Sequence, residues 1–457
     1  MIALSSNYYR IVYAILLLCA AGFGLWLIQD PGLHPWDERY HALVGKNLLA
    51  HPWRPMLYAN PVLPYDYHDW SRSHVWVHKP PVPLYAIALS LKTFGVKVWA
   101  VRLPSVLALV ATAGLSGWLA RGLFGRPVSL LTLGLCGFHG LHLELMAGRT
   151  ATDHVDIWLS FFTVAGATLA FRYYASGRST RSYLLLTGVC LGLGLLSKSL
   201  PALLILVITS GWAYRQRVGR RAWVSDISLV FLVGMAVAAP WYGYILWAFP
   251  AETAWAFTHQ FLHFGVGLDD HAQAWYFHLA KAPYVYGQLM IIPLIYASWF
   301  GWRYRRHRRG RTLLALLAWL AVPYVIFSLA TTKMIAYPIQ AALPIFLLTA
   351  RFVEKYFGKN WVATVGCLLL LLLPIRYTIE RSRILMVEER TDYFVREPAT
   401  FTRSFPPKTI LFGTQYPVEA MFHHDLSAAY EKIPTQAVRD SLMARGYHIQ
   451  IIAKSDR

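Results

Sequence analysis

Charge is what this chain has least of. Asp, Glu, Lys and Arg make up 14% of its 457 residues, against 56% that are hydrophobic; a soluble domain carries roughly 25% charged residues. That deficit excludes an ordinary water-soluble fold. Cysteine is scarce too. The four present, Cys19, Cys136, Cys190 and Cys367, all lie inside apolar runs. They read as small hydrophobes, which excludes a disulfide framework or a thiolate metal centre. No fixed-period repeat is visible. Acidic residues are outnumbered by basic ones, 23 to 43, leaving a net charge of +20. Such an excess can serve nucleic acid, but its placement argues against that partner. Arginines gather at alternate ends of the apolar runs, in "ARGLFGR", "FRYYASGRSTR", "YRQRVGRR" and "RYRRHRRGR". This is the positive-inside pattern of a membrane protein.

What is present in quantity is apolar sequence in lengths near the ~20 residues needed to cross a bilayer. Such runs lie at about 10–28, 102–120, 127–146, 154–172, 182–197, 199–214, 226–247, 283–302, 312–330, 334–351 and 361–378. They predict an all-α polytopic membrane protein of about eleven spans, with its N-terminus inside and its C-terminus outside. The first run has a weak positive start and no small-residue cleavage site, so it reads as an uncleaved anchor. The transmembrane unit covers residues 1–378, with outward-facing stretches at 29–101 and 248–282. The remainder, 379–457, is polar; "KTILFGT" and "YHIQIIAK" alternate like strands around a helical "PTQAVRDSLMARG", which predicts a small αβ outer domain.

Sorting the polar residues by side gives the sharpest signal. Asp37, Glu38, Lys79, Arg149, Asp153, Asp156, Lys198, Asp269, Asp270, Lys281 and Lys333 all fall on the outer side or at outer segment ends. A proton- or ion-coupled transporter keeps ionisable groups near the midplane; here they gather at one interface, the depth of a lipid head group. Each also has a plainer reading. Asp37 fits an N-cap of the amphipathic stretch 38–50, with Glu38 in its first turn. Asp153 fits a cap as well, and Lys79, Lys198 and Lys333 fit side chains that snorkel to the interface.

Histidine is dense outside. His74/His78 and His259/His263 have i,i+4 spacing, which suits metal ligation if those stretches are helical; polar loop surface is the plainer reading. Trp36, Trp53, Tyr58, Tyr65, Tyr67, Trp70 and Trp76 suit stacking on sugar or lipid, or an interfacial aromatic belt. The loop at about 52–78 is long enough to serve as a lid.

Five motifs then occur in one order: "PWDERYHALVGKNLL", "HKPPVPLY", "TATDHVDIWLSFF", "GLGLLSKSLPALL" and "IFSLATTKMIAYPIQAALPIFLL". From about residue 30 to 350 the chain resembles the polyprenyl-phosphate-sugar-dependent glycosyltransferases of the C-type membrane fold. The branch is that of bacterial protein mannosyltransferase relatives and the lipid A aminoarabinose transferase. The resemblance implies inverting transfer of a sugar from an undecaprenyl phosphate donor to a lipid, glycan or protein acceptor outside the bacterial inner membrane. It also implies roles: Asp37 the base; Asp153, or Asp156, the second acid; Lys79 and Lys333, with Tyr337 near, the donor-phosphate ligands. Glu38, Lys198, His78, His259 and His263 are candidate supporting residues, and a divalent ion at His78, His259 and His263 is an open option. The chain departs from the aminoarabinose transferase by His78, where that enzyme has an acid before the lysine-diproline. It departs again in "HQFLHF" (His259, Gln260, His263), where that enzyme has Glu-His followed by Arg. A flippase of polyprenyl-linked glycans is the alternative from another class.

Overall fold

A computed structural model describes residues 5–34, 37–64, 66–69, 73–268, 271–382 and 405–452. Asp269, Asp270, Trp36, Tyr65 and Trp70 lie outside the described residues.

The helices follow the apolar runs. Among the described residues, six are long and apolar enough to cross a membrane: α1 (Ser6–Leu27), α4 (Val98–Phe124), α7 (Asp153–Ala175), α10 (Arg220–Ala248), α14 (Arg308–Leu329) and α16 (Trp361–Ser382). Of these, α7 is the central one, 83% buried along its span, while α1, α10 and α16 show most of their length to the surroundings. Three predicted runs are broken rather than continuous. The run at 127–146 becomes α5 (Arg126–Gly137) and α6 (Gly140–Met146), bent by 48°. That at 283–302 breaks at Gly287 between α12 (Phe277–Tyr286) and α13 (Ile291–Arg303). That at 334–351 opens with a 3-10 turn at Tyr337–Ala341 before α15 (Ala342–Tyr356). Proline and a positive-φ glycine supply the physical reason at two of them: Pro338 takes non-helical angles and Gly287 has φ 89°.

Between spans, α8 (Arg181–Lys198) ends at Ser199, turns, and continues as α9 (Leu204–Gln216). Lacking a hydrophobic drive between helices in lipid, α8 and α10 approach through small residues. A side chain added at Gly188 would overlap Val233, and one at Gly192 would overlap Val237.

Two short helices ride outside the spans: α2 (Asp37–Asn47) and α3 (Pro81–Phe94), with α11 (Pro250–Gly265) after α10. The tail forms a three-stranded parallel sheet in the order β2-β1-β3, with β1 (Thr409–Phe412), β2 (Ala428–Tyr430) and β3 (His448–Ile451). Helices α17 (Pro417–His423) and α18 (Gln436–Ala444) complete it. Its apolar residues Ile410, Leu411 and Phe412 share one core with Tyr40, Leu43 and Val44 of α2 and with Leu48 just after it. Lys46 Nζ donates to the carbonyls of Met421 (2.9 Å) and Phe422 (3.1 Å), closing the end of α17. The tail is thus a buttress against the helix that begins at Asp37.

Two sequence expectations are corrected here. Residues 74–78 are not helical: Met56 and Val75 pair as an antiparallel bridge, and the diproline starts α3 only at Pro81. His74 and His78 therefore do not share a helical face, because the stretch between them is bound edge to edge with residues 55–57, Trp76 N–H donating to the Pro55 carbonyl and Leu57 N–H to that of His74. Trp76 and Tyr58 are core, 1% and 4% exposed. Trp76 stacks on Tyr40 at 5.2 Å and Tyr58 on Tyr430 at 5.3 Å, so neither offers a face to a sugar.

Candidate active site

Two helix starts bring the acids together. α2 begins at Asp37, and α7 begins at Asp153 after a turn in which Gly148 and Thr152 both take positive φ, 72° and 70°. The N–H of Thr152 donates to Asp37 Oδ2 at 3.0 Å, and its hydroxyl donates to Asp156 Oδ2. Lys79, held just ahead of the diproline, donates to the same Asp37 oxygen at 3.2 Å. Lys198, the last residue of α8, pairs with Asp156 Oδ2 at 2.5 Å and lies 5.1 Å from the centre of the Tyr337 ring. Asp153 Oδ1 accepts from the His154 N–H and lies 2.9 Å from His41 Nδ1. Beside a carboxylate that imidazole nitrogen is the donor. Asp37, Asp153, Asp156, Lys79 and Lys198 therefore form one cluster, and none of them serves as a simple cap or a snorkelling chain.

The electrostatics follow. Burial works against ionisation of Asp37, but the Lys79 ammonium, then His41 and the Thr152 N–H, outweigh it and hold the carboxyl below the usual range. Burial also works against the Lys79 charge, and Asp37, with Asp153 and Asp156 beyond, holds that ammonium above its ordinary value. For His78, burial and the adjacent Lys79 charge push the imidazole down to about 3, so it is neutral at physiological pH. Several buried polar atoms here have no hydrogen-bond partner among the described residues: Asp153 Oδ2, Asp156 Oδ1, His41 Nε2 and His78 Nδ1. Each such atom costs about 1–3 kcal/mol, a burden proteins carry where a bound group satisfies them.

Glu38 does something else. Its carboxylate, fully buried, takes two bonds from Arg102 (2.6 and 2.9 Å) and one from the His34 N–H (2.7 Å). Arg102 spends its remaining donors on the carbonyls of Ile28, Asp30 and Gly32. The pair pins the chain leaving α1 to α4 and so sets where Asp37 stands. Gly148 lies against it; a Cβ there would collide with the Glu38 carboxylate, and its φ disfavours any side chain. Gly148→Ala is expected to lower stability by about 1–3 kcal/mol, the range for overpacking, read as a lower unfolding midpoint in detergent. An unchanged midpoint would contradict this.

The remaining candidates stand apart. Lys333 Nζ is tied to the carbonyls of Gln273 (3.1 Å) and Ala330, with His278 close enough that burial and the Lys333 charge bring its imidazole down to about 4. His78, His259 and His263 stand in a row, ring centres 6.2 and 5.7 Å apart. Among the described residues no three His, Cys, Asp or Glu side chains converge as a metal site requires. Two contributors escaped the sequence reading. His41 had a legible signal, since it lies one helical turn after Asp37; Thr152 had none, because its contribution comes from its backbone.

Residues 78–245, which carry Lys79, Asp153, Asp156 and Lys198, match the family described as dolichyl-phosphate-mannose-protein mannosyltransferase. An undecaprenyl phosphate-alpha-4-amino-4-deoxy-L-arabinose arabinosyl transferase of Pseudomonas paraeruginosa is 26% identical over 411 residues, 83% of this chain and 68% of its own length. That of Pseudomonas aeruginosa strain LESB58 is 27% identical over 377 residues, 77% of this chain and 61% of its own length. The chain thus spans about two thirds of these curated relatives. The crystal structure of ArnT from Cupriavidus metallidurans bound to undecaprenyl phosphate matches with a TM-score of 0.63 at 16% identity, covering 98% of this chain and 90% of that one. This likeness shows the fold.

Proposed function

We propose that this chain, a multi-pass membrane protein that resembles the C-type-fold polyprenyl-phosphate-sugar glycosyltransferases, moves one sugar from an undecaprenyl phosphate donor to a hydroxyl acceptor. The acceptor belongs to lipid A, another glycolipid or a protein, on the periplasmic face of the bacterial inner membrane. The single observation that carries this reading is the half-buried Asp37–Lys79 pair, 3.2 Å apart, set among carboxylates with oxygens that have no partner among the described residues. It holds a base and a phosphate-binding cation together at the place where the transfer needs both.

The chemistry is balanced as follows. The acceptor oxygen forms a bond to the anomeric carbon while the bond from that carbon to the phosphate oxygen breaks. The bonding electrons leave with undecaprenyl phosphate, and the acceptor proton passes to Asp37. Attack opposite the departing phosphate inverts the anomeric centre. While Lys79 pairs with it, Asp37 is a weak base. A donor phosphate offers Lys79 a second anionic partner, and as Lys79 turns to it the Asp37 carboxylate becomes more basic when the acceptor is in place. Preorganised charge of the Lys79 kind is worth about 3–4 kcal/mol per donor at a developing oxyanion. Lys198 holds Asp156 in an ion pair and lies over the Tyr337 ring beside it; Lys333 would approach the phosphate only by leaving its two carbonyls.

The test is transfer by the purified full chain from an undecaprenyl-phosphate-linked sugar, with Lys79→Met beside the wild type. Loss of a charge-assisted bond to phosphate is expected to raise the donor KM about 10- to 100-fold. Unchanged donor KM and turnover in the variant would sink the phosphate role.

A further inference from the structure

His41 neither takes the acceptor proton nor meets the donor phosphate, yet its surroundings are not those of a core histidine. It is fully buried, it sits one turn after Asp37 on α2, and its Nδ1 lies 2.9 Å from Asp153 Oδ1 at the start of α7. Its Nε2 has no partner among the described residues. The ring is 6.3 Å from that of His154, whose own Nδ1 is engaged by Ser105 at 2.8 Å and whose Nε2 lies 3.7 Å from Glu38. A histidine placed only to fill space has no need to face a carboxylate across two helices, since burying a carboxylate is itself costly. The contact ties the helix bearing Asp37 to the helix bearing Asp153 at the level of the cluster, and Thr152, the residue before Asp153, closes the same junction through Asp37.

We propose that His41 is a positioning residue of the transfer reaction: its Nδ1–H holds the Asp153 carboxylate at a fixed place relative to Asp37. This rests on the function proposed above. With Oδ1 occupied by His41 and by the His154 N–H, Asp153 can present only Oδ2 to the substrate. Without His41 the carboxylate keeps only the bond from the neighbouring His154 N–H, which does not tie it to α2, and the two acids lose their register. Displacements of about 1 Å at a reacting centre cost on the order of 10²-fold in rate. The interaction needs a donor at the Nδ1 position, not an imidazole, which makes it separable from any proton-carrying role. An asparagine places its amide N–H where Nδ1 stands and cannot carry a proton.

The experiment measures kcat and donor KM for the wild type, His41→Asn, His41→Phe, Asp153→Ala and the double variant His41→Phe/Asp153→Ala, with an undecaprenyl-phosphate-linked sugar. His41→Phe is expected to lose about 10²-fold in kcat with donor KM nearly unchanged, and His41→Asn to recover most of that loss. The double variant should be no slower than Asp153→Ala, because both act through one carboxylate. Full activity in His41→Phe, an asparagine variant as impaired as the phenylalanine one, or additive losses in the double variant would each overturn the proposal. Should His41→Phe not fold, the asparagine variant and Asp153→Ala still decide it: impaired His41→Asn at normal stability overturns it. A wild type that transfers no sugar would bring down the proposed function, and this inference with it.

Discussion

Asp37→Asn is expected to reduce transfer by about 10²–10⁴-fold, the contribution of a positioned general base, while leaving the protein folded. The asparagine oxygen can still accept the Thr152 N–H, so the junction between α2 and α7 persists. What is lost is the group that takes the acceptor proton and the negative charge opposite Lys79. Donor binding should survive or tighten, because Lys79 no longer has a carboxylate to leave. An Asp37→Asn enzyme with wild-type turnover would remove Asp37 from the role of base.

The second large effect falls on stability. Arg102→Met strands the Glu38 carboxylate in a site where it is fully buried and leaves the carbonyls of Ile28, Asp30 and Gly32 without their donor. Breaking a buried pair by removing one partner costs about 3–5 kcal/mol, to be read from unfolding in detergent. Adding Glu38→Leu to Arg102→Met should return part of that loss, since no uncompensated charge then remains. A single Arg102→Met variant within about 0.5 kcal/mol of wild type, the range of neutral surface changes, would show that this pair does not hold α1, α2 and α4 together.

These two residues mark where sequence reading succeeds and where it stops. Asp37 and Lys79 stand next to short, ordered motifs, and chemistry at a membrane interface gives both a reason to be there. Their pairing across 42 positions of chain is not encoded by any local pattern. Glu38 beside Asp37 looks equivalent to it in the sequence; only the reach of Arg102 from α4 separates the acid that pairs with Arg102 from the acid that faces Lys79. Apolar run length located the helices, since it measures hydrophobic content, but it is blind to the breaks at Gly287 and Pro338 that interrupt them. The histidines show the same limit. Spacing of i,i+4 means proximity only on a helix, so His259 and His263 on α11 are neighbours and His74 and His78 are not. The tail's strands β1 and β3 were legible from alternation, whereas β2, three residues long, was too short to show.

The most direct test is mass spectrometry of envelope lipids and glycans from cells carrying either the wild type or Asp37→Asn. If the chain transfers sugar from a polyprenyl phosphate, the mutant cells hold an acceptor one sugar lighter and accumulate the undecaprenyl-phosphate-linked sugar. That single pair of masses would name both substrates. Identical acceptor masses in the two strains, with no accumulation of the donor lipid, would contradict sugar transfer at Asp37.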